Sequence, residues 1–304
     1  MDYSEEIRDI YEVVKNNPNK GDTATYIPEL ADVDPDSFGI HITTIDGDEF
    51  GIGDYKHRFS IQSIVKVLTL SLAYKMLGKR IWNRLGVEPS GTAFNSLVQL
   101  EADNGIPRNP FINAGALVIC DILISKLNNP KADFLAFLKN FSGNPGISYS
   151  DTIAKSEKSK GYRNIALCNF IKSFQNIDND PNEVLNFYFD ICSIKMNCNE
   201  LSRTFLLYAN NGRKVSDNTQ ILTISQSKRI KSVMQTCGFY DESGEFTFKV
   251  GLPGKSGVGG GIVAVCPKKY AISIWSPKLN SKGNSYRGMK FLELFTTRTE
   301  TSIF

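Results

Sequence analysis

The chain reads as an α+β protein, with one mixed, mainly antiparallel sheet built from both chain ends and a helical region filling the middle. Three observations lead there. Strand-like alternation is confined to residues 39–54 and to the stretch after about 245, whereas 70–240 is dominated by helical spacing. Strands and helices do not alternate in the βαβ manner that builds a parallel sheet. No linker rich in Pro, Gly or Ser divides the 304 residues. One domain is therefore expected over 1–304, with a sheet part at about 1–60 and 241–304 and a helical part at about 61–240.

The elements follow in order. Residues 4–16 place Ile7, Ile10, Tyr11, Val13 and Val14 on one side, which predicts an amphipathic helix. "GIHITTIDGDEFGIGD" (39–54) predicts two strands around the "DGD" turn. "FSIQSIVKVL" (59–68) has helical apolar spacing, and Ser60 is an N-cap candidate that would set Ser63 in the first turn. The helical middle contains "NPFINAGALVICDILISKL", "PKADFLAFLKNFS", "VLNFYFDICSI" and "RTFLLYANNG". Strand character returns in "EFTFKVG" (245–251), "GVGGGIVAV" (257–265) and "YAISIWS" (270–276), and "SYRGMKFLELFTTRT" predicts a closing helix. The two terminal helices are expected to cover the sheet.

Bulk properties exclude several classes of function. A hydrophobic share of 41% and a charged share of 22% are ordinary for a globular protein. The net charge of +3 comes from scattered basic residues, which does not favour a nucleic-acid surface. The start, "MDYSEEIRDIYEVVKNN", has no basic region followed by an apolar one, and apolar runs are too short to cross a bilayer. A cytoplasmic protein without a membrane partner is expected. The six cysteines sit mostly in apolar runs and form no C-x-x-C, as expected for buried reduced thiols. The two histidines, His41 and His57, have no Cys or carboxylate at ligand spacing, so neither a His-based zinc site nor a Ser-His-Asp triad is expected. No metal or cofactor is expected.

The chemistry centres on Ser63 and Lys66, three residues apart and on one helix face. Desolvation and the positive end of a helix both lower the pKa of a lysine, and a neutral Lys66 could take the proton of the Ser63 hydroxyl. The N–H of a first-turn serine is also free to donate to an oxyanion. On these residues alone the pair is either catalytic or part of an ordinary amphipathic helix. The spacing recurs at Ser225 and Lys228, where it reads as a solvated helix face. "GLPGKSGVGGGIVAV" (251–265) adds to the case. A phosphate loop would need glycine where Lys249 stands and a helix afterwards, and Gly259 and Gly261 likewise lead into no helix. What remains is Lys-Ser-Gly entering a strand. Together with Ser-x-x-Lys on a helix, this is the pairing of β-lactamases and penicillin-binding proteins. In that arrangement Lys255 would be a second cation tuning Lys66. "SDN" at 216–218 lies only 39 residues before Lys255 (216 to 255) and reads as a turn.

At this point the sequence resembles the serine-dependent glutaminases, relatives of the β-lactamase/transpeptidase-like fold, from about residue 20 to 296. The resemblance rests on "ATYIPELA", "FSIQSIVKVL", "EPSGTAFNS", "NPFINAGA", "SE" at 156–157 with "YRNIA", "FYFDICSI", "TCGFYDESGEF", "GLPGKSGVGGG" and "WSPKLNSKGNS". It implies hydrolysis of L-glutamine to L-glutamate and ammonia through a γ-glutamyl-serine intermediate. It also implies roles. Ser63 is the nucleophile, Lys66 its base and Tyr240 a proton relay or donor. The N–H groups of Ser63 and Val258 form the oxyanion hole. Glu157 takes the substrate ammonium, and Asn113, Asn164, Tyr188 and Tyr26 hold the rest of the head, with Gln62 close by. Homodimers or homotetramers are implied as well. Two departures, Gly254 and Gly259 where the family pattern has alanine, fall beside the site strand and would loosen it.

Taken singly, these residues have plainer readings: Asn113 a helix start, Tyr188 core, Glu157 surface charge and Tyr240 a turn anchor. The resemblance along the whole chain outweighs them. Two other functions remain compatible with these residues, a β-lactamase or transpeptidase and an amino-acid-binding protein without catalysis. Intact Ser63, Lys66 and Tyr240 weigh against the last.

Overall fold

The computed structural model describes residues 2–90 and 97–304. Residues 91–96 of "EPSGTAFNS" lie outside the described residues.

Helix α1 (Ser4–Asn16) buries Ile7, Ile10, Tyr11 and Val14. Val13, expected on the same side, is 54% exposed, because the buried stripe runs at i, i+3, i+4 and i+7 and Val13 falls outside it. A short helix α2 (Pro28–Ala31) leads to β1 (Gly39–Thr44) and β2 (Glu49–Gly53), which form the expected antiparallel hairpin. Gly47 in its turn has a φ of 96°, a conformation that costs glycine little. Then come β3 (Phe59–Ser60), a 3₁₀ turn (Gln62–Ile64) and α3 (Val65–Leu77). The middle continues through α4 (Leu97–Ala102), α5 (Asn113–Lys126), α6 (Pro130–Ser142), α7 (Asp151–Lys160), α8 (Tyr162–Ser173) and α9 (Pro181–Cys192). After β4 (Lys195–Met196), which pairs with β3, follow α10 (Cys198–Ala209) and α11 (Ile224–Cys237). The chain ends with α12 (Ser243–Lys249), β5 (Gly254–Ser256), β6 (Gly261–Cys266), β7 (Tyr270–Trp275) and α13 (Tyr286–Thr299).

The main sheet has the order β2-β1-β7-β6-β5, and every pairing is antiparallel. The C-terminal strand β7 lies between the N-terminal hairpin and β6, so the two chain ends meet at its centre. Because side chains alternate along a strand, this sheet serves two cores. Ile40, Ile42, Ile262, Ala264, Ile272 and Ile274 face α1 and α13. Val263, Val265, Ala271 and Trp275 face the helical side, where α10 packs along β1, β6 and β7.

One predicted strand is a helix. Residues 245–251 show Phe-x-Phe alternation, but Phe246 is buried and Phe248 is 89% exposed. Phe246 stacks on Phe239, and Glu245 and Lys249 form an i,i+4 ion pair along α12. A two-position alternation in so short a window does not separate strand from helix, and the local ion pair and the Phe239 contact favour helix here.

Candidate active site

The segment carrying Ser63 is held before its helix begins. Ile61 N–H donates to Ile194 O at 3.0 Å and Ser60 Oγ to Cys192 O at 3.1 Å. Ser60 is thus a strand residue fastened to the end of α9, not the N-cap expected from sequence. Helix α3 has no side-chain cap, and the 3₁₀ turn precedes it. In that turn Gln62 has a φ of 47°, a conformation costing a non-glycine residue roughly 1–3 kcal/mol and held only by surrounding contacts. Those contacts include a bond from Gln62 Nε2 to Glu157 Oε1 at 3.0 Å. Ser63 itself is half-buried, whereas its neighbours from Phe59 to Tyr74 are buried. Its N–H makes no hydrogen bond among the described residues.

Lys66, on the first turn of α3, is fully buried. Its ammonium donates to Asn113 Oδ1 at 2.7 Å and Phe111 O at 3.1 Å, and reaches the Tyr240 hydroxyl at 3.5 Å. The Ser63 side chain is also near enough to favour the Tyr240 phenolate. Tyr240 therefore stands near both Lys66 and Ser63, at a φ of 55° in the 3₁₀ turn Tyr240–Glu242. Lys255 Nζ lies 4.2 Å from the centre of the Tyr240 ring and Lys66 Nζ lies 5.6 Å from it. Burial pushes the Tyr240 phenol up, but Lys255, Lys66 and the nearby Ser63 side chain together outweigh it and bring it down to about 8. Burial likewise pulls Lys255 down, with Lys66 adding to the effect and Tyr240 opposing it. Lys255 is anchored by Gly238 O and Ser256 O at 2.9 and 2.8 Å. The ring that it faces is Tyr240's.

Glu157, near the end of α7, is 9% exposed. Burial raises its pKa, opposed by bonds from Tyr26 and Gln62. Both bonds fall on Oε1, at 2.7 Å from Tyr26 Oη and 3.0 Å from Gln62, leaving Oε2 without a hydrogen bond among the described residues. Asn164 does not share a helix with Glu157, as the seven-residue spacing suggested. The chain breaks at Gly161, where a Cβ would lie 2.4 Å from the Phe189 ring, and α8 starts afresh. Asn164 still faces the site and accepts from Asn113 Nδ2 at 2.9 Å. Tyr188 on α9 is buried, and burial pushes its phenol well up. Val258 packs against Ile27, Leu30 and Ile153. Its loop is held by Trp275 Nε1 donating to Gly259 O at 3.0 Å, and its N–H has no hydrogen-bond partner among the described residues.

Every site residue named from sequence, apart from Lys66 and Lys255 behind the wall, lines one cavity of about 260 Å³. That is below the roughly 300–1,000 Å³ of drug-sized ligand pockets and suits one small metabolite. The cavity also includes Lys160, Gly161 and Cys192, which the sequence reading missed. Helical spacing from Glu157 (i+3) and Tyr188 (i+4) is the signal that would have found Lys160 and Cys192. Ser225 and Lys228 are exposed on α11, and 216–218 is an exposed turn. His41 bonds Ser202 and Asn199, and His57 stacks on Trp275. At Gly254 and Gly259 the backbone is closely approached by neighbouring atoms. A Cβ at Gly259 would lie 2.3 Å from Ser60 O, and one at Gly254 would lie 3.0 Å from the rings of Phe239 and Phe246. All six cysteines are free and buried, and no helix among the described residues is long and apolar enough to cross a membrane.

Comparison with known proteins agrees along the whole chain. A glutaminase family model matches residues 21–304. A glutaminase of Saccharophagus degradans is 56% identical over 304 residues, covering 100% of this chain and 99% of that protein. One of Christiangramia forsetii is 53% identical with 100% of both covered. A probable glutaminase from Bacillus subtilis, solved in complex with 6-diazo-5-oxo-L-norleucine, superposes with a TM-score of 0.90 at 29% identity, covering 100% of this chain and 97% of that one. The fold is the β-lactamase-like fold of these enzymes. From residue 21 to residue 304, and in its sequence and its backbone alike, this chain belongs to the glutaminase family of enzymes.

Proposed function

We propose that the chain hydrolyses L-glutamine to L-glutamate and ammonia through a γ-glutamyl ester on Ser63. The observation that carries this reading is Ser63 and Tyr240 lining one small cavity, with Lys66 bonded to Tyr240 behind it and a buried carboxylate, Glu157, in the same lining. Glu157 Oε2 takes the substrate ammonium by a charge-assisted bond. Asn113, Asn164, Tyr188, Tyr26 and Gln62 hold the head in place.

Tyr240, which lines the cavity with Ser63, takes the hydroxyl proton as Oγ attacks the side-chain amide carbon, and Lys66 and Lys255 stabilise the phenolate. In this reading Tyr240 is the immediate base, and Lys66 holds and supplies the proton behind it. The oxyanion accepts from the N–H groups of Ser63 and Val258. Tyr240 returns the proton to nitrogen, the C–N bond breaks and ammonia leaves. Water then attacks the ester, giving its proton to Tyr240, and the C–O bond to Ser63 breaks as Tyr240 returns that proton to Oγ, releasing glutamate and restoring the Ser63 hydroxyl. The complex of the Bacillus subtilis protein with 6-diazo-5-oxo-L-norleucine supports the reading, since that molecule has an electrophilic diazo ketone in place of the amide of glutamine. The packing of α10 against the sheet supports taking 1–304 as one catalytic domain.

The test is ammonia release from glutamine and from asparagine, run beside hydrolysis of a chromogenic β-lactam. Turnover of glutamine alone is expected. Cleavage of the β-lactam would favour the transpeptidase-like alternative, and glutamine binding without ammonia would reduce the protein to a binding module.

A further inference from the structure

One charged side chain of the cavity has no part in the mechanism above. Lys160 lines the cavity and is the last residue of α7, three positions after Glu157. Residues at that spacing share a helix face, with Cβ atoms about 5–6 Å apart. Among the described residues Lys160 makes no ion pair and no side-chain hydrogen bond. Lys66 and Lys255, by contrast, are fully buried and donate to the protein itself. The break at Gly161 seats the end of α7 against Phe189, which holds Lys160 at the cavity rim.

The charge pattern of the cavity needs this cation. A free α-amino acid carries an ammonium and a carboxylate on one carbon. Its carboxylate, entering beside Glu157, would be repelled by that side chain. Glu29 adds to the negative field, close enough to raise the Glu157 pKa, and is held by Ser156 Oγ at 2.8 Å. The other polar side chains that line the wall, such as Asn113, Asn164 and Tyr188, are neutral donors and acceptors. We propose that Lys160 is a specificity-determining residue that pairs with the substrate α-carboxylate while Glu157 takes the α-ammonium. One turn of α7 then reads the zwitterionic head. This inference rests on the glutaminase reading of the cavity.

The experiment compares Lys160→Met, Lys160→Arg and a control, Lys158→Met, which makes the same charge change at an exposed position of the same helix outside the cavity lining. L-Glutamine is the substrate. L-Glutamine α-amide, with its carboxylate replaced by a neutral amide, is the competitor. Lys160→Met is expected to raise KM for glutamine about three- to tenfold, the range for a charge-assisted bond at a partly exposed site. Its kcat changes by less than about twofold, because the contact is made equally before and during the reaction. Lys160→Arg recovers most of the loss, and high salt narrows the gap between wild type and Lys160→Met. Ki of the α-amide stays the same in both. An unchanged KM for glutamine in Lys160→Met would overturn the inference, and so would an equal rise in the α-amide Ki, which marks a structural effect. If the wild-type protein released no ammonia from glutamine, the glutaminase reading would fall and this inference with it.

Discussion

Ser63–Lys66 and Ser225–Lys228 have the same spacing and opposite surroundings. Ser225 and Lys228 lie on the exposed face of α11, whose start is closed by a capping box between Thr223 and Gln226. Such a helix satisfies its own first amides and leaves its side chains in water. Ser63 precedes a helix with no side-chain cap, in a 3₁₀ turn with Gln62 at a φ of 47°. Lys66 is buried with three polar partners. The difference teaches that the motif is empty without its setting. An exposed lysine stays hydrated and far from any partner that it could perturb. A buried one must be satisfied by specific groups, and those groups connect it to Tyr240 and so to Ser63.

The comparison breaks most sharply at the two serines. Ser63→Ala is expected to lower kcat at least about a thousandfold while the protein keeps its circular dichroism spectrum and melting temperature, since a lost nucleophile costs a large factor. Ser225→Ala should stay within about twofold of wild type. Residual activity of several per cent in purified Ser63→Ala would remove the covalent step. The lysines come next. Lys66→Met is expected to cost about a hundred- to a thousandfold in kcat/KM, against less than about twofold for Lys228→Ala. Comparable damage at both, measured by ammonia release, would make the two copies equivalent and end the argument from context.

A third test sharpens the electrostatic half of the comparison. The base must be deprotonated, so kcat/KM should rise with pH through an apparent value near that of Tyr240, about 8. Lys255 is the leading charge that holds the phenol down, so Lys255→Met should move this limb to higher pH. At neutral pH each unit of movement costs about tenfold in rate. The observed value belongs to the Tyr240–Lys66–Lys255 cluster as a whole. A limb that does not move in the variant would leave Lys255 as a strand residue held by Gly238 and Ser256. The smallest effect is expected at Gly259→Ala. Its Cβ would press on Ser60 O and shift the segment that carries Ser63. A loss of about 1–3 kcal/mol in chemical denaturation is expected, with a modest fall in kcat, and the equivalent Gly244→Ala, where nothing lies within 4 Å, should be neutral.

Some of this was legible from residues alone. The 39–54 hairpin, β7 and the closing helix follow from alternation and helical spacing, because those periods record which side chains face a core. The strand assigned to 245–251 failed where a short Phe-x-Phe pattern had two explanations and only Phe239 decided between them. Ser60 looked like a cap because serine often is one, but its hydroxyl is engaged by Cys192 O, a partner 132 positions away. Glu157, Asn113, Asn164 and Tyr188 have no distinguishing local pattern, and only likeness along the whole chain picked them out.

What the sequence determined by itself is therefore the set of local periods, the absence of histidine-based metal or triad spacing, and membership in a family that keeps many separate stretches together. What only the tertiary structure decided is which groups meet. The residues that line the cavity with Ser63 arrive from α5, α7 and the turn after α11, and Lys66 is bonded to Tyr240 behind that wall. Lys255 acts on Tyr240 because β5 lies beside that turn, and Lys160 reaches the cavity because Gly161 stops α7 against Phe189. Periodicity is a property of neighbours along the chain, whereas hydrogen bonds and field effects decay over a few ångströms in space, so no one-dimensional pattern could specify them.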